Sequence, residues 1–405
     1  MIFEDFESRN SDIFLSTHRY SVMKRSLLIV IIIVAAILVL PVYNLLCWSF
    51  KAKKPLDIIL VDKTVPTMDR EKHKSFNWVL LNSRFVKKEN KSSYSYKKDY
   101  YGFYPMRPLK EKQWGRNEYR LTDLINLAEQ NDAVYFTDTY GVFFNDWYKG
   151  ISKSRRSRRL YGGLNNNDFL LIKEMKDRNK LIIMEYNSFD YPTAQFESVR
   201  TQEKLGIEFL GWSGKYFSSL DTTQVDFPIW MTAMYRKQYR APWNFYKAGI
   251  VILNERDIIV LEEGTHLKNP LPRIVTDEVN SSKYNVIPSV AFEQWFDIID
   301  PIQSSVISNF KLETTALGDT LLSNNFISNE FPAVVQDLES SNVYYFSGDF
   351  THAKVPMWTS KLIGGMNLKG ISYSEKLDDT RRFFWLYYRP LIDGIFSEYY
   401  ETVKK

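Results

Sequence analysis

Residues 181–189, LIIMEYNSF, constrain the fold of this chain more than any other stretch. Four apolar residues in a row, preceded by a charged segment of helical pattern, fit a central parallel strand covered on both faces. The run ends abruptly at Glu185, Tyr186 and Asn187. In open α/β sheets, ligands gather outside the carboxyl ends of such strands, so Glu185 and Asn187 are expected in a cleft.

The same pattern recurs upstream. Residues 57–61 (DIILV) read as a strand running into Asp62, and residues 133–136 (AVYF) as another running into Asp138 and Tyr140. Between them, residues 73–86 and 119–130 space their apolar side chains as amphipathic helices do. Asn167 or Asp168 is placed to cap a helix over 169–178, and Gly206 to stop one over 196–205. This alternation over 56–210 predicts an α/β fold with a doubly wound, mostly parallel sheet of flavodoxin-like kind. The grain changes afterwards. Residues 250–253 and 257–261 read as a hairpin, and 211–330 as a largely β insertion. Residues 331–335 and 342–346 look like a paired return to the sheet, and an aromatic-rich helix over 378–405 closes the chain.

Ahead of this domain, residues 27–40 are an unbroken apolar run, LLIVIIIVAAILVL, continuing through Leu45, Leu46, Cys47 and Trp48. About 20 helical residues cover a bilayer core of about 30 Å. Tyr43 and Trp48 stand where an aromatic belt belongs. No small-residue cleavage site follows the run, so a single-pass anchor over 26–48 is expected rather than a cleaved signal. Basic residues flank both sides equally, and long domains translocate largely regardless of charge. The expected arrangement is a cytoplasmic tail over 1–25, a basic stalk over 49–55, and the bulk of the chain on the periplasmic side of a cell inner membrane.

Composition narrows the chemistry. Cys47 is the only cysteine, which excludes an intramolecular disulfide and a cysteine-rich metal site. The four histidines are scattered without metal-ligand spacing, so no metal and no cofactor are expected. A net charge of +5 is too mild to argue for nucleic acid. Aromatic residues make up 16% of the chain, which excludes disorder and suggests either a Tyr-rich core or a surface that stacks on sugars. No G-x-G-x-x-G, P-loop or G-x-S-x-G occurs, and no D-x-D of nucleotide-sugar enzymes.

The order of DIILVD, AVYFTDT, LIIMEYNSF, EKLGIEFLGW and FPAVVQDLESSNVYYFSGDF resembles the class I glutamine-amidotransferase-like fold, in its trehalose-utilisation-type branch. The likeness covers roughly 56–210 and 331–352. The resemblance implies a Cys nucleophile on a Gly-flanked elbow after the central strand. Here that elbow falls near Met184, Glu185 and Tyr186, with neither Cys nor Gly, so thiolate chemistry and glutamine hydrolysis are not carried over.

Several polar groups follow the expected strands: Asp62, Asp138, Tyr140, Glu185, Asn187, Asp349 and His352. Glu185 with Asp138 is the preferred acid/base pair for carbohydrate chemistry, with His352 as a third group. Asp62, Tyr140, Asn187 and Asp349 are candidate ligand contacts. The Asp and Asn residues are also suited to ending strands and capping the helices that follow. The aromatic stretch around Trp243 is either a sugar-stacking platform or a small core under the insertion. The basic run over 153–159 reads as a phosphate or headgroup grip or as a solvated loop. The leading expectation is a glycan-binding accessory of envelope or exopolysaccharide metabolism. The alternatives are a hydrolase using a carboxylate pair, and a structural subunit with membrane-protein partners.

Overall fold

The computed structural model describes residues 27–32, 39, 41–106, 109–148, 157–223, 227–362, 370 and 372–404. Residues 41–50 form helix α1. There follow β1 (Lys54–Pro55), β2 (Ile58–Asp62), α2 (Glu71–Ser83), β3 (Phe85–Val86), β4 (Tyr101–Pro105), β5 (Trp114–Asn117), α3 (Leu124–Gln130) and β6 (Ala133–Asp138). Next come β7 (Val142–Phe143), α4 (Phe144–Tyr148), β8 (Arg159–Tyr161), α5 (Asn166–Asp177), β9 (Leu181–Glu185), α6 (Gln195–Leu205) and β10 (Ile207–Phe217). The later part holds α7 (Trp230–Tyr239), β11 (Gly249–Leu253), β12 (Ile258–Glu262), β13 (Leu267–Thr276), α8 (Glu278–Tyr284), β14 (Ser289–Ala291), β15 (Trp295–Pro301) and β16 (Ser304–Thr314). It closes with α9 (Ala316–Ser323), β17 (Glu330–Asp337), β18 (Val343–Phe346), α10 (Arg381–Phe383), a π turn at Phe384–Tyr388 and α11 (Arg389–Val403).

The fold is mixed α/β. One ten-stranded sheet runs in the order β14-β13-β16-β17-β18-β9-β6-β2-β4-β5. Its centre, β18-β9-β6-β2-β4, is parallel. Antiparallel strands extend it on both sides. The stretch expected as a β insertion divides between two sheets. Strands β13, β14 and β16 join the main sheet, whereas β12-β11-β10-β15 form a separate antiparallel one.

The central strands show why the sequence reads as continuous apolar runs. Ile183 and Tyr135 pack into one core with Phe76 and Trp78 of α2 and Leu391 and Ile395 of α11. Their neighbours Ile182, Met184, Val134 and Phe136 face the opposite core with Leu171 and Met175 of α5 and Leu205 of α6. Period-2 alternation thus feeds two apolar layers, and each fully buried aliphatic side chain contributes about 1.5–3 kcal/mol.

Some local expectations shift. The cap of α5 is Asn165, not Asn167 or Asp168; its side chain accepts from both of their N–H groups while Asp168 reaches back to the Asn165 N–H. A single 3₁₀ turn, Leu121–Asp123, precedes α3. The closing helix begins at Arg381. Gly206 ends α6 with φ 66°, as expected.

Among the described residues no helix is long and apolar enough to cross a membrane. The expected anchor is only partly covered, since 26, 33–38 and 40 lie outside the described residues, as does the tail over 1–25. Residues 27–32 are helical, and every apolar side chain there is more than half exposed. Trp48 is held against the folded domain. It is 9% exposed and its indole N–H donates to the Leu81 carbonyl at 2.9 Å, fastening α1 to the end of α2. Of the basic run, Lys153, Arg155 and Arg156 lie outside the described residues, while Arg159 donates to the Pro192 and Gly162 carbonyls.

Candidate functional site

The parallel register aligns strand ends that carry carboxylates: Asp62 of β2 pairs with Asp138 of β6, and Glu185 of β9 with Phe346 of β18. Helix α2 follows β2 after residues 63–70, and its first turn leans over this edge. There Lys72 salt-bridges Asp138 at 3.2 Å and also binds Asp349, which lies three residues past β18. Gly102 of β4 permits the close packing beside Asp62. Its φ is +139°, and a Cβ there would lie 1.7 Å from the Asp62 carbonyl oxygen.

Asp138 accepts from the Thr64 hydroxyl at 2.6 Å and the Tyr140 N–H at 2.9 Å. Burial pushes its carboxyl up to about 6, against the opposing pull of Lys72. Asp349 differs. Burial disfavours its charge too, but Lys72 and His352 outweigh that and hold its carboxyl below the usual range. His352 Nδ1 lies 3.2 Å from Asp349 and its Nε2 3.6 Å from Glu71. Asp349 is 1% exposed, and its Oδ1 has no hydrogen-bond partner among the described residues.

Glu185 lies deeper than a catalytic acid in an open cleft. It is fully buried, one oxygen binding the Tyr135 hydroxyl and the other accepting from the Thr351 N–H and hydroxyl. Burial pushes its carboxyl well above the ordinary value. The structure therefore brings Asp138 together with Asp349 through Lys72, and places Glu185 behind them against Thr351. Asp62 is also fully engaged, with the His73 Nδ1 at 2.5 Å and the Thr64 N–H at 2.9 Å. The other ring nitrogen of His73 lies 2.7 Å from the Tyr96 carbonyl, so both nitrogens face oxygen acceptors.

Asn187 takes the left-handed conformation with φ 67° and donates its N–H to Asp297 at 3.0 Å. Ser188 donates its hydroxyl to the Glu185 carbonyl at 2.8 Å. Tyr140 stands at the rim, its ring 4.7 Å from Phe143. Trp243 sits apart. Its indole donates to the Leu220 carbonyl at 2.9 Å, and it packs edge-on against Tyr235 and Phe245 over a small core containing Phe217 and Met231.

Lys72, His73, Tyr186 and Asp297 complete the site, and the sequence reading did not select them. Lys72 and His73 had one usable signal, a charged segment opening the first helix after a strand that ends in Asp. Tyr186 stacks on Trp295, with ring centroids 6.3 Å apart and planes 14° from parallel. Burial raises the pKa of its hydroxyl, as do the negative charges of Asp297, Asp349 and Asp138. Asp297 comes from β15, far away in sequence, and nothing local marks it. It accepts from Ser213 at 2.7 Å and Tyr345 at 2.9 Å.

Burial pushes the Asp297 carboxyl up to about 7. A raised folded-state value means the acid stabilises the fold fully below its ordinary 3.8, and that contribution fades as pH rises toward about 7. Asp297→Asn keeps the shape and does not titrate. Its melting temperature is expected to gain on the parent progressively between pH 4 and pH 7 and to level off above that; parallel profiles for the two proteins would remove the assignment.

Among the described residues no group of three His, Cys, Asp or Glu side chains is arranged to hold a metal ion. No family model and no curated protein matches this chain. A solved structure of the beta-galactosidase from Rahnella sp. R3 is similar over 59% of this chain and 23% of that one, at 12% identity and a TM-score of 0.26. The chain thus spans about a quarter of that protein's length, and a likeness at that score carries no argument about fold or function.

Proposed function

We propose that this chain is a membrane-anchored protein whose α/β domain binds a glycan at the carboxyl ends of its parallel strands, around Asp138, Lys72, Asp349 and His352. The observation that carries the reading is Asp349, a buried carboxylate with one oxygen left unpartnered while its other oxygen shares Lys72 with a second acid. Buried acceptors are ordinarily satisfied, and leaving one unpaired costs about 1–3 kcal/mol. A sugar hydroxyl is a donor suited to that oxygen, and the stacked Tyr186 and Trp295 lie nearby, the Trp295 carbonyl accepting from the Asp349 N–H at 2.9 Å. The anchor part of the reading rests on the apolar side chains of residues 27–32, exposed on all sides of a helix. The domain is assigned to the extracytoplasmic side, with an amidotransferase-like core that lacks the cysteine.

A binding panel of neutral oligosaccharides, titrated calorimetrically against the detergent-solubilised full chain, tests this. At least one is expected to bind, with Asp349→Asn weakening it about tenfold, the equivalent of about 1.4 kcal/mol. A panel with no binder, or one whose affinity survives Asp349→Asn, would leave the glycan reading without support.

A second reading has its own observation. Asp138 is pushed up to about 6 whereas Asp349 is held below the usual range. Two carboxyls whose environments separate their titrations suit a general acid and an ionised partner. In a carbohydrate hydrolase of this kind Asp138 protonates the leaving glycosidic oxygen as its bond to the anomeric carbon breaks, Asp349 stabilises the positive charge on the sugar, and a water adds to that carbon and returns a proton to Asp138. Asp138→Asn then abolishes the release of reducing ends but spares binding, whereas in a pure binder no reducing ends appear with either protein.

A further inference from the structure

The basic stretch that follows α1 does not point away into solvent. Lys51 donates to the Asn82 carbonyl at 3.2 Å, and Lys54 to the Ser397 hydroxyl at 2.8 Å, so both lie against the joint between α2 and α11. Arg84, at the end of α2, holds its guanidinium 4.5 Å from the Trp48 ring centre. Lys361 lies 5.5 Å from the same ring. Arg389 opens α11 close by.

These cations crowd one another. Lys51 feels the like charges of Lys54, Arg389 and Arg84, and Asp393 opposes them. The Asp393 carboxylate is already engaged by the Ser83 hydroxyl. Burial lowers the pKa of the Lys51 ammonium, and the three like charges lower it further. Burial also lowers the Arg389 guanidinium, with Asp393 opposing. The Nε atoms of both Arg84 and Arg389 are buried and have no hydrogen-bond partner among the described residues. Three cations gathered on Lys51, with Asp393 opposing at Lys51 and Arg389 and two guanidinium Nε donors unused, are a costly arrangement unless an anion completes it.

The position of the cluster identifies the anion. It surrounds Trp48, where the apolar side chains of α1 give way to the folded domain. If the helix spans a bilayer, this collar meets the headgroup layer. We infer that Lys51, Arg84 and Arg389 form a site for the phosphate of an anionic phospholipid, seated where the anchor helix enters the domain. Guanidinium groups suit it because their planar donors match phosphate oxygens in pairs. The inference rests on the anchor reading of the preceding subsection.

The test uses the full chain reconstituted into nanodiscs of phosphatidylcholine alone or mixed with phosphatidylglycerol. The melting temperature of the domain is expected to rise by about 2–4 °C with the anionic lipid, and high salt to reduce the gain. Arg84→Gln combined with Arg389→Gln is expected to abolish the gain, while melting in phosphatidylcholine alone stays level or rises because like charges are relieved. A gain that survives the double substitution, or no gain at all, overturns the inference. So does an equal gain from inorganic phosphate added to phosphatidylcholine discs, which would make the site one for free anions. Failure of the chain to enter nanodiscs while remaining folded overturns the anchor reading instead, and this inference with it.

Discussion

Lys72→Met is expected to destabilise the domain by about 3–5 kcal/mol at pH 7, the usual cost of leaving buried charge without its partner. The lysine side chain is only 16% exposed and serves two carboxylates at once, Asp138 and Asp349. Methionine fills similar volume, so the loss reports charge rather than packing. The pH dependence gives the sign. Asp349 owes its low titration to Lys72 and His352, which overcome burial. Its depressed value means it stabilises the native protein above the ordinary 3.8, a contribution lost as pH falls below that. Without the ammonium, burial and the facing Asp138 drive both acids upward. The variant therefore regains stability relative to the parent as pH falls from 7 toward 5, through protonation of the pair. Adding Asp138→Asn and Asp349→Asn to Lys72→Met should recover most of the loss at pH 7. Urea midpoints across that range check all three statements; a deficit that is flat in pH, or unrepaired by the amides, would show that Lys72 acts through packing.

The same cluster shows how far sequence carries a reading. The central strands were legible because parallel strands covered on both faces leave an unmistakable apolar signature, and β2, β6 and β9 each end where the polar residues begin. The acids at those ends were legible for the same reason. Their division of labour was not. Whether a carboxylate at a strand end faces a cleft or the interior depends on what packs above it, and here Thr351, from the loop after β18, closes over Glu185. Lys72 reaches Asp138 and Asp349 because the first turn of α2 folds back over their strand ends, which spacing does not encode. Asp297 is brought to Asn187 by pairing of β10 with β15, strands separated by most of the late β region. Trp48 reads as a residue of the bilayer interface because its neighbours in sequence are apolar, but nothing local shows what its indole meets. Its indole partner, Leu81, is 33 residues away. Local pattern reports which side chains leave water; long-range pairing decides what they meet.

Glu185 gives the sharpest test of that distinction, since the residue that sequence favoured as catalytic is one that the fold encloses. Glu185→Ala is expected to cost about 3–5 kcal/mol, from a cavity together with stranded donors on Tyr135 and Thr351. Glu185→Gln is expected to be nearly neutral at pH 7. The Gln oxygen can accept from the Thr351 N–H and hydroxyl in place of the present oxygen. Its amide can donate to Tyr135, whose hydroxyl then turns toward the Tyr388 hydroxyl 3.3 Å away. Burial raises the Glu185 carboxyl well above its ordinary 4.5, so the acid supports the fold below that value and ceases to as pH climbs. The amide does not titrate, and Glu185→Gln should gain on the parent as pH rises. Thermal melts from pH 5 to pH 9, run beside ligand titration, separate the two roles of this side chain. Stability that tracks pH with affinity unchanged makes Glu185 a buried support for the loop carrying Asp349. A well-folded Glu185→Gln protein that has lost ligand or turnover would mean that this carboxyl reaches the ligand after all, and the enclosure by Thr351 would have to open for it to do so.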